Sequence, residues 1–264
     1  MKKISILMFA FVAILGVQSA KAWSGFGHGT ITYITEQHLT PTAKAECRRY
    51  LNHTLPWHAS WMDHWRAVPP YQKLDKLHTF TATADGNVNW DSGKGKAVNL
   101  IKKTIKKLEN DKYKNLPDSV VRYNLLVLIH ALPDIHCPVH VSFSKKEFPQ
   151  YKYTIRKNGK KLKMHKFWDA SPGFTREGWT YEKYAAEVDN LKRGAVKKIV
   201  KKGNIDYWTR DIVKQTHRIY DITTPNIDVA KMSDKKKKEV TDLADEQVLK
   251  AAYRLAYVLN DIFK

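Results

Sequence analysis

The sequence predicts a mainly α fold: a single helical domain over residues 23–264 with one small β-hairpin. Apolar residues recur at helical spacing through most of this range. One stretch alternates instead around Asn158-Gly159, a pair typical of a two-residue hairpin turn. Apolar residues make up 43% of the 264-residue chain, which is enough for a substantial core and argues against disorder.

The first 22 residues are predicted to be a cleaved signal peptide. Lys2 and Lys3 precede an apolar run at 4–17, and the following "QSAKA" ends in the small-x-small pattern of a cleavage site. Cleavage after Ala22 would make Trp23 the first residue of the mature protein. The run is too short to span a membrane comfortably, no other span is expected, and no cysteine follows it to carry a lipid. We therefore expect an exported protein, periplasmic or secreted from a bacterium.

Eight helices are predicted in the mature chain from the spacing of its apolar residues. Thr40 stands where an N-cap is expected, with Pro41 at the first helical position. The segment at 117–132 is strongly apolar and is expected to lie at the centre of the core. The predicted helices cover 28–39, 40–51, 56–68, 95–110, 117–132, 181–200, 206–223 and 233–263.

The chain is strongly basic, with a formal net charge of +20. Residues 1–22 carry three lysines and no acid, so their removal would leave +17. A charge of this size favours polyanionic partners such as nucleic acid or anionic lipid. A solvated, lysine-rich surface is the alternative, and it is the better explanation of the four-lysine run at 235–238.

The two cysteines, Cys47 and Cys137, leave the disulfide content open. In an oxidising compartment they could form one bridge, which would be worth about 4–5 kcal/mol for a loop of about 90 residues. Two free, buried thiols are the alternative, since the sequence does not give the geometry that a bridge requires.

The stretch "HALPDIHCPVH", from His130 to His140, is rich in groups that bind metals. His130 and Asp134 are four residues apart and can share one helix face, and His136 and His140 repeat that spacing. Imidazole nitrogens and carboxylate oxygens are ligands that zinc accepts. The two prolines of the stretch are expected to kink or end the helix. The sequence therefore predicts a metal site, with hydrogen-bonded histidines at a helix end as the alternative.

Other segments carry further candidates, each of them a weak signal alone. The processed terminus offers the α-amine of Trp23, which deprotonates readily beside a dication. His28 follows it, and the two intervening glycines let the backbone fold tightly back. The remaining candidates are Asp63 with Arg66, His78, and His165 with Asp169.

Taken in order, these motifs resemble those of the zinc-dependent single-strand nuclease and 3′-nucleotidase family, typified by the fungal nucleases S-one and P-one. That family begins its mature chain with Trp and places His five residues on, as Trp23 and His28 do here. Its Asp-x-x-Arg and Leu-His motifs fit 63–66 and 77–78. Its His-x-x-x-Asp-x-His-x-Pro-x-His fits 130–140 at every defined position, and its His-x-x-Trp-Asp fits 165–169. The resemblance covers essentially the whole mature chain.

The resemblance implies three zinc ions in a mainly helical domain related in fold to zinc phospholipase C. The first zinc would be held by Asp63, His78, His130 and Asp134. The second would be held by the amine and carbonyl of Trp23, His28 and Asp134, so that Asp134 bridges this pair. The third would be held by His140, His165 and Asp169.

The activity implied is hydrolysis of the P–O3′ bond in single-stranded DNA or RNA and in 3′-nucleotides, giving 5′-phosphates or nucleoside plus phosphate. The zinc pair would activate a water for in-line attack, and the third zinc would stabilise the leaving oxygen. Arg66 would contact the non-bridging phosphate oxygens, with Asp63 and Asp134 as catalytic metal ligands. The expected partner is the nucleic-acid substrate, and the expected state is a monomer.

The sequence departs from the family pattern at positions that affect substrate binding. The family often places an aromatic and an acidic residue just after Leu-His to hold the base, whereas Thr79 and Thr81 stand here. Phe80 is the candidate for base stacking, unless its register turns it into the core. His136 is expected to support the ligands rather than bind metal. Cys137 is expected not to be a ligand, because the implied set of nine ligands is already complete.

Two other functions remain as alternatives. A zinc phospholipase C shares the fold, the three-zinc site and a ligating amino-terminal Trp, but the Asp-x-x-Arg motif and the positive charge favour the nuclease. A non-catalytic exported nucleic-acid-binding protein would use its metals only for structure. Structural zinc sites are usually closed by four protein ligands, whereas the third site implied here has three.

Overall fold

The computed structural model describes residues 23–66, 68–69, 71–85, 87–88, 96–143 and 153–264. The predicted signal peptide at 1–22 lies outside the described residues. Within them the chain is mainly α, as predicted, with two short strand pairs. The helices are α1 (Gly25–Gln37), α2 (Pro41–Leu51), α3 (Leu55–His58), α4 (Trp61–Trp65), α5 (Ala97–Leu108), α6 (Asp118–Ile135), α7 (Met164–Asp169), α8 (Tyr181–Val188), α9 (Arg193–Val200), α10 (Ile205–Ile222) and α11 (Asp234–Ile262).

Helix α6 is the centre of the core, as its apolar sequence predicts. Its residues are buried without interruption from Asn124 to Ile135. Helices α2, α5 and α11 pack around it. It continues through Pro133 and ends at Ile135, before the second proline of the stretch. The carboxyl end of α6 therefore lies deep inside the molecule, where ligands from other elements can reach it.

Side-chain hydroxyls cap the amino-terminal ends of two of the helices. The Thr40 hydroxyl accepts a hydrogen bond from the backbone N–H of Ala43, so the predicted N-cap is confirmed. Ser233 caps α11 in the same way, through the N–H of Lys236. Helix α11 then runs to Ile262 and packs its buried face against α1, α6 and α9.

Two of the predicted helices are divided. The segment 56–68 forms α3 and α4, which are separated at Ala59 and Ser60, and 181–200 forms α8 and α9. Both breaks are accompanied by contacts with distant residues, and the local spacing of apolar residues carries no information about such contacts. The Ala59 carbonyl lies 2.8 Å from Nδ1 of His130, and Asp189, after α8, lies 2.9 Å from Nε2 of His38.

The predicted hairpin is confirmed. Strands β3 (Thr154–Lys157) and β4 (Lys160–Lys163) pair antiparallel, and Asn158 and Gly159 both have positive φ, as a primed two-residue turn requires. An unpredicted parallel pair joins β1 (Phe80–Thr81) to β2 (Val141–Ser142). Two-residue strands leave no periodic signal in a sequence, but this pair ties the segment after His78 to the segment after His140.

The two cysteines are not bridged. Cys47 packs in the core cluster around α6, whereas Cys137 packs beside Trp23 in a second cluster with α1, α8 and α11. The bridge is wrong because burial in separate clusters keeps the two thiols apart. Within the described ranges, no helix combines the length and apolar character needed to cross a membrane.

Candidate metal centre

The metal-type residues picked out in the sequence converge around the carboxyl end of α6. Helix α6 carries His130 and Asp134, α1 brings His28, and α4 brings Asp63. The other residues of the group are His78, after the 3₁₀ turn Tyr71–Leu77, His140, at the end of the 3₁₀ turn Pro138–His140, and His165 and Asp169, in α7.

Asp134 is completely buried, and its two oxygens face different histidines. Oδ1 lies 3.1 Å from Nε2 of His28, and Oδ2 lies 3.3 Å from Nε2 of His130. Oδ2 is also 4.0 Å from Nε2 of His78. The rings of His28 and His130 stack with their centroids 4.3 Å apart. A carboxylate placed in this way can bind two metal ions, one through each oxygen.

Asp63 stands between a histidine and an arginine. Its Oδ1 lies 3.7 Å from Nε2 of His78 and 3.5 Å from Nη2 of Arg66. Arg66 is only 8% exposed, so its guanidinium is held against the candidate ligands rather than in solvent. A buried guanidinium beside metal ligands is suited to bind the oxygens of a phosphate.

A third group forms around Asp169. Its Oδ1 lies 3.6 Å from Nε2 of His140, and its Oδ2 lies 3.4 Å from Nε2 of His165. The two imidazole rings stack at 5.1 Å. The Cys137 thiol donates a hydrogen bond to Oδ1 at 3.5 Å, and the potential ligand atoms of Cys137, His140 and Asp169 lie within 4.8 Å of one another. Cys137 therefore touches this group directly.

Backbone carbonyls orient three of the histidines. Nδ1 of His78 donates to the Leu74 carbonyl at 2.9 Å, and Nδ1 of His130 donates to the Ala59 carbonyl at 2.8 Å. Nδ1 of His140 donates to the His78 carbonyl at 2.8 Å. These contacts assign the proton to Nδ1, which leaves each Nε2 as a lone-pair donor pointing into the centre. This is the usual arrangement of metal-binding histidines.

Many polar atoms of the centre are buried without a hydrogen-bond partner, which is costly in a protein interior. Nε2 of His28 and Oδ1 of Asp134, for example, face each other without the geometry of a hydrogen bond. The described atoms of this kind that belong to candidate ligands are Nδ1 and Nε2 of His28, both carboxylate oxygens of Asp63 and Asp134, Nε2 of His78 and His130, and Oδ2 of Asp169. Such a set of nitrogen and oxygen donors fits zinc.

The electrostatics of the centre follow from burial and close pairing. Burial lowers the pKa of His78 to about 4 and raises the pKa of Asp169 to about 6. Burial by itself would also raise the pKa of Asp134, but the imidazoles of His130 and His28 outweigh it and lower that pKa well below the usual range. Asp134 is therefore an anion at neutral pH, as a metal ligand must be.

Trp23 is fully buried between the elements that carry the other candidates. Its indole N–H donates to the Pro133 carbonyl at 3.0 Å, next to Asp134. The N–H of Ser24 donates to the Asp169 carbonyl at 2.8 Å. These two bonds fix the start of the described chain between α6 and α7.

His136 is occupied by protein contacts, as expected for a supporting residue. Its Nδ1 donates to the Leu132 carbonyl at 2.8 Å, and its Nε2 accepts from Nη1 of Arg254 at 3.0 Å. Arg254 in turn donates to Asp211 at 2.7 Å. Arg254 and Asp211 were missed in the sequence because no local spacing relates α10 and α11 to the histidine motif.

The base-stacking role predicted for Phe80 is contradicted. The side chain is 1% exposed and belongs to the core cluster around α6. Pairing of β1 with Val141 fixes the register that turns Phe80 inward. A buried ring offers no face on which a base can stack.

Comparison with known proteins agrees with this geometry. A family model described as S1/P1 nuclease matches residues 23–264, which include all the candidate ligands. A search of curated proteins found no match. The family match confirms the resemblance seen in the motifs, and it makes the protein a hydrolase of nucleic-acid esters. The chain belongs to the S1/P1 nuclease family.

Proposed function

We propose that this protein is an exported, zinc-dependent nuclease of single strands and a 3′-nucleotidase, and that it holds three zinc ions. One ion would be held by Asp63, His78, His130 and Asp134. The second would be held by the amine and carbonyl of Trp23, His28 and Asp134. The third would be held by His140, His165 and Asp169.

The observation that carries this proposal is the concentration of buried, unpartnered nitrogen and oxygen donors around Asp134. Without a metal ion these atoms have lost their hydrogen bonds to water, and the neighbouring ionisable groups replace those bonds only in part. The carbonyl-oriented histidines add a second argument, since each presents Nε2 rather than an N–H to the centre. Histidine nitrogens and carboxylate oxygens together favour zinc over calcium or magnesium.

The chain's own residues define how a phosphodiester would be cleaved. When bound, the zinc ions supply Lewis acidity toward the phosphate oxygens and a water of lowered pKa as the nucleophile. Asp134 would contribute one oxygen to each of the first two metal sites. Asp63 would hold the Arg66 guanidinium next to those sites. The Arg66 guanidinium would donate to the non-bridging oxygens, where negative charge grows as the P–O3′ bond breaks. The 5′-phosphate stays on the released nucleotide.

Export is supported by the amino-terminal segment and by the position of Trp23. The family match begins at Trp23, the residue that would follow signal-peptide cleavage. Trp23 is already anchored beside Asp134 through Pro133, and His28 reaches the same carboxylate from α1. Cleavage before Trp23 would therefore place a free amine close to the proposed second metal site.

The test uses protein that begins at Trp23, with a 3′-ribonucleotide and its 5′-isomer as substrates. We expect phosphate release from the 3′-isomer only, lost on chelation and restored by zinc. Cleavage of a single-stranded oligonucleotide should show the same metal dependence. Release from neither isomer and no cleavage of the oligonucleotide, with zinc bound, would refute the proposal.

The same samples separate the two alternatives. Headgroup release from a phospholipid, without nucleotide hydrolysis, would indicate a phospholipase C. Binding of DNA without turnover of any substrate would indicate a non-catalytic binding protein. Family membership favours the nuclease over both.

A further inference from the structure

Exposed aromatic side chains lie on α4, which carries the candidate ligand Asp63, and on the adjoining helices α3 and α6, and the function proposed above gives them no role. Trp57 is 70% exposed, Trp65 43% and Tyr123 40%. Together with Val68, they are the large hydrophobic side chains that stand exposed in the described part of the chain. Exposed rings collected in one region are unusual for a soluble surface and indicate a binding function. We call Trp57, Trp61, Trp65 and Tyr123 the aromatic surface.

Contacts with neighbouring rings and with α6 hold the members of the aromatic surface in place. Trp61 meets Tyr123 edge-on with centroids 5.8 Å apart, which joins α4 to α6. Trp57, on α3, stacks with His53 at 4.6 Å. Both short helices pack against α6. The rings therefore stand on rigid elements rather than on loose loops.

The aromatic surface is continuous with the metal centre through α4. This helix turns Met62 and Asp63 inward, where Asp63 joins the candidate ligands, and it leaves Trp65 facing solvent. Arg66, which follows Trp65 directly, reaches back to Asp63. A substrate whose phosphate contacts Arg66 would therefore have its neighbouring groups close to Trp65.

The charge around these rings suits a polyanion. Residues 52–68 contain a single acid, Asp63, and it is buried against His78 and Arg66. The segment 119–124, which carries Tyr123, contributes Arg122 and no acid, and the exposed Asp118 just before it pairs with Arg49 at 3.8 Å. The whole chain has a net charge of +20. Phosphates would meet no exposed carboxylate within either segment.

We propose that the aromatic surface binds unpaired bases of a single-stranded nucleic acid on one side of the bond that is cleaved. This inference rests on the proposed function and specifies its preferred substrate as a strand several nucleotides long. Bases stack on exposed Trp and Tyr rings without regard to sequence. Paired bases are already stacked within a duplex, so the same rings would favour single strands.

A protein partner or a second copy of the chain fits these observations less well. Stable protein interfaces bury about 800 Å² on each partner. Four rings, of which Trp61 is partly buried, offer much less than this area.

The test compares a single-stranded oligonucleotide of about ten residues with a 3′-mononucleotide, using the zinc-loaded protein. The quantity measured is the ratio of kcat/KM for the strand to kcat/KM for the mononucleotide. Trp57→Ala should lower this ratio about fivefold or more, the loss expected for one stacked base. Trp57→Phe should restore part of the loss, because phenylalanine keeps a ring. Trp179→Ala, at a partly buried tryptophan near α8, is the matched control and should leave the ratio unchanged.

Each contrary result has a distinct meaning. An unchanged ratio in a well-folded Trp57→Ala variant overturns the inference, as does an equal fall in Trp179→Ala. A dimer of the unaltered protein that dissociates in Trp57→Ala would assign the rings to a second copy instead. If the unaltered protein hydrolyses neither substrate, the proposed function fails, and fluorescence anisotropy with a labelled strand then tests the surface alone. Binding about fivefold weaker in Trp57→Ala would support the inference in that case, and equal binding would overturn it.

Discussion

Within single residues of the centre, different atoms have different partners. His78, His130 and His140 use Nδ1 for a backbone carbonyl, so only Nε2 is available to a metal. Asp134 divides its two oxygens between His28 and His130. The family resemblance implied which of these side chains would meet, but it did not show which atom of each would face the centre.

Asp134→Asn should remove two metal ions at once. The amide has no charge and only one ligating oxygen, so neither of the sites that share this side chain keeps its ligand set. Zinc per chain is expected to fall from about three to about one, measured by elemental analysis after dialysis.

Asp169→Asn provides the matched control, because Asp169 belongs to one proposed site only. It should lower the zinc content by about one ion. Equal losses in the two variants would show that Asp134 does not bridge.

Cys137→Ser should retain the third metal. The thiol donates to Oδ1 of Asp169, and a serine hydroxyl can make the same bond. We expect the cobalt-substituted protein to lack a sulfur-to-cobalt absorption band, with or without the substitution. A band present in the unaltered protein and lost in Cys137→Ser would instead make the thiol a ligand.

At the scale of elements, the ends of short helices and strands leave backbone groups available to orient the candidate ligands. The break between α3 and α4 frees the Ala59 carbonyl for His130. The β1–β2 pair holds the segments after His78 and His140 in register, beside the contact of His140 with the His78 carbonyl. Helical periodicity predicts the long helices well, but it carries no information about breaks that depend on distant partners.

The amino-terminal segment is expected to act as a ligand-bearing element only after processing. A chain that keeps Ala22 has an amide in place of the free amine of Trp23, and an amide nitrogen is a poor ligand for zinc. Such a chain should bind about one zinc ion fewer than the chain that begins at Trp23, as measured by elemental analysis and calorimetric titration.

A chain extended by one residue after Lys264 controls for the added length. If the chain that keeps Ala22 holds as much zinc as this control, the amine is not a ligand.

For the whole molecule, the buried donors predict that the stability of the fold depends on metal. Removal of zinc would leave the buried Asp134 carboxylate facing imidazole nitrogens, and the buried Asp63 carboxylate dependent on the Arg66 guanidinium 3.5 Å away. Chelation should therefore lower the melting temperature by roughly 10 °C, the shift expected when tightly bound ligand is lost from a domain of this size. Calorimetry with zinc add-back is the measurement, and an unchanged melting temperature would contradict it.

Acid should also release the metal. Zinc binds the deprotonated ligand, so a group whose pKa is raised in the metal-free protein keeps its proton, and excludes zinc, up to a higher pH. Burial raises the pKa of Asp169 to about 6, and contact with Asp169 raises the pKa of His140 despite the opposing effect of burial. The affinity of the third site for zinc should therefore fall as the pH drops below about 6. Competition with a chelator at a series of pH values measures this affinity, and an affinity that stays constant between about pH 7 and about pH 5 would contradict the prediction.

The sequence by itself determined the helical class, the hairpin and the identity of the metal-type residues. The class and the hairpin follow from local chemistry, namely the apolar period and the turn residues. The spacing of His and Asp indicated the stretch from His130 to His140, and the family resemblance indicated the remaining ligands. The long apolar segment at 117–132 was therefore recognised as the central helix, and the stretch from His130 to His140 as the centre of the site.

Only the tertiary structure decided which distant groups meet. It turned Phe80 into the core, separated Cys47 from Cys137, and brought Tyr123 of α6 against Trp61 of α4. The physical reason is that burial and hydrogen bonding between remote segments depend on how whole helices pack. Spacing within a single segment cannot encode those contacts.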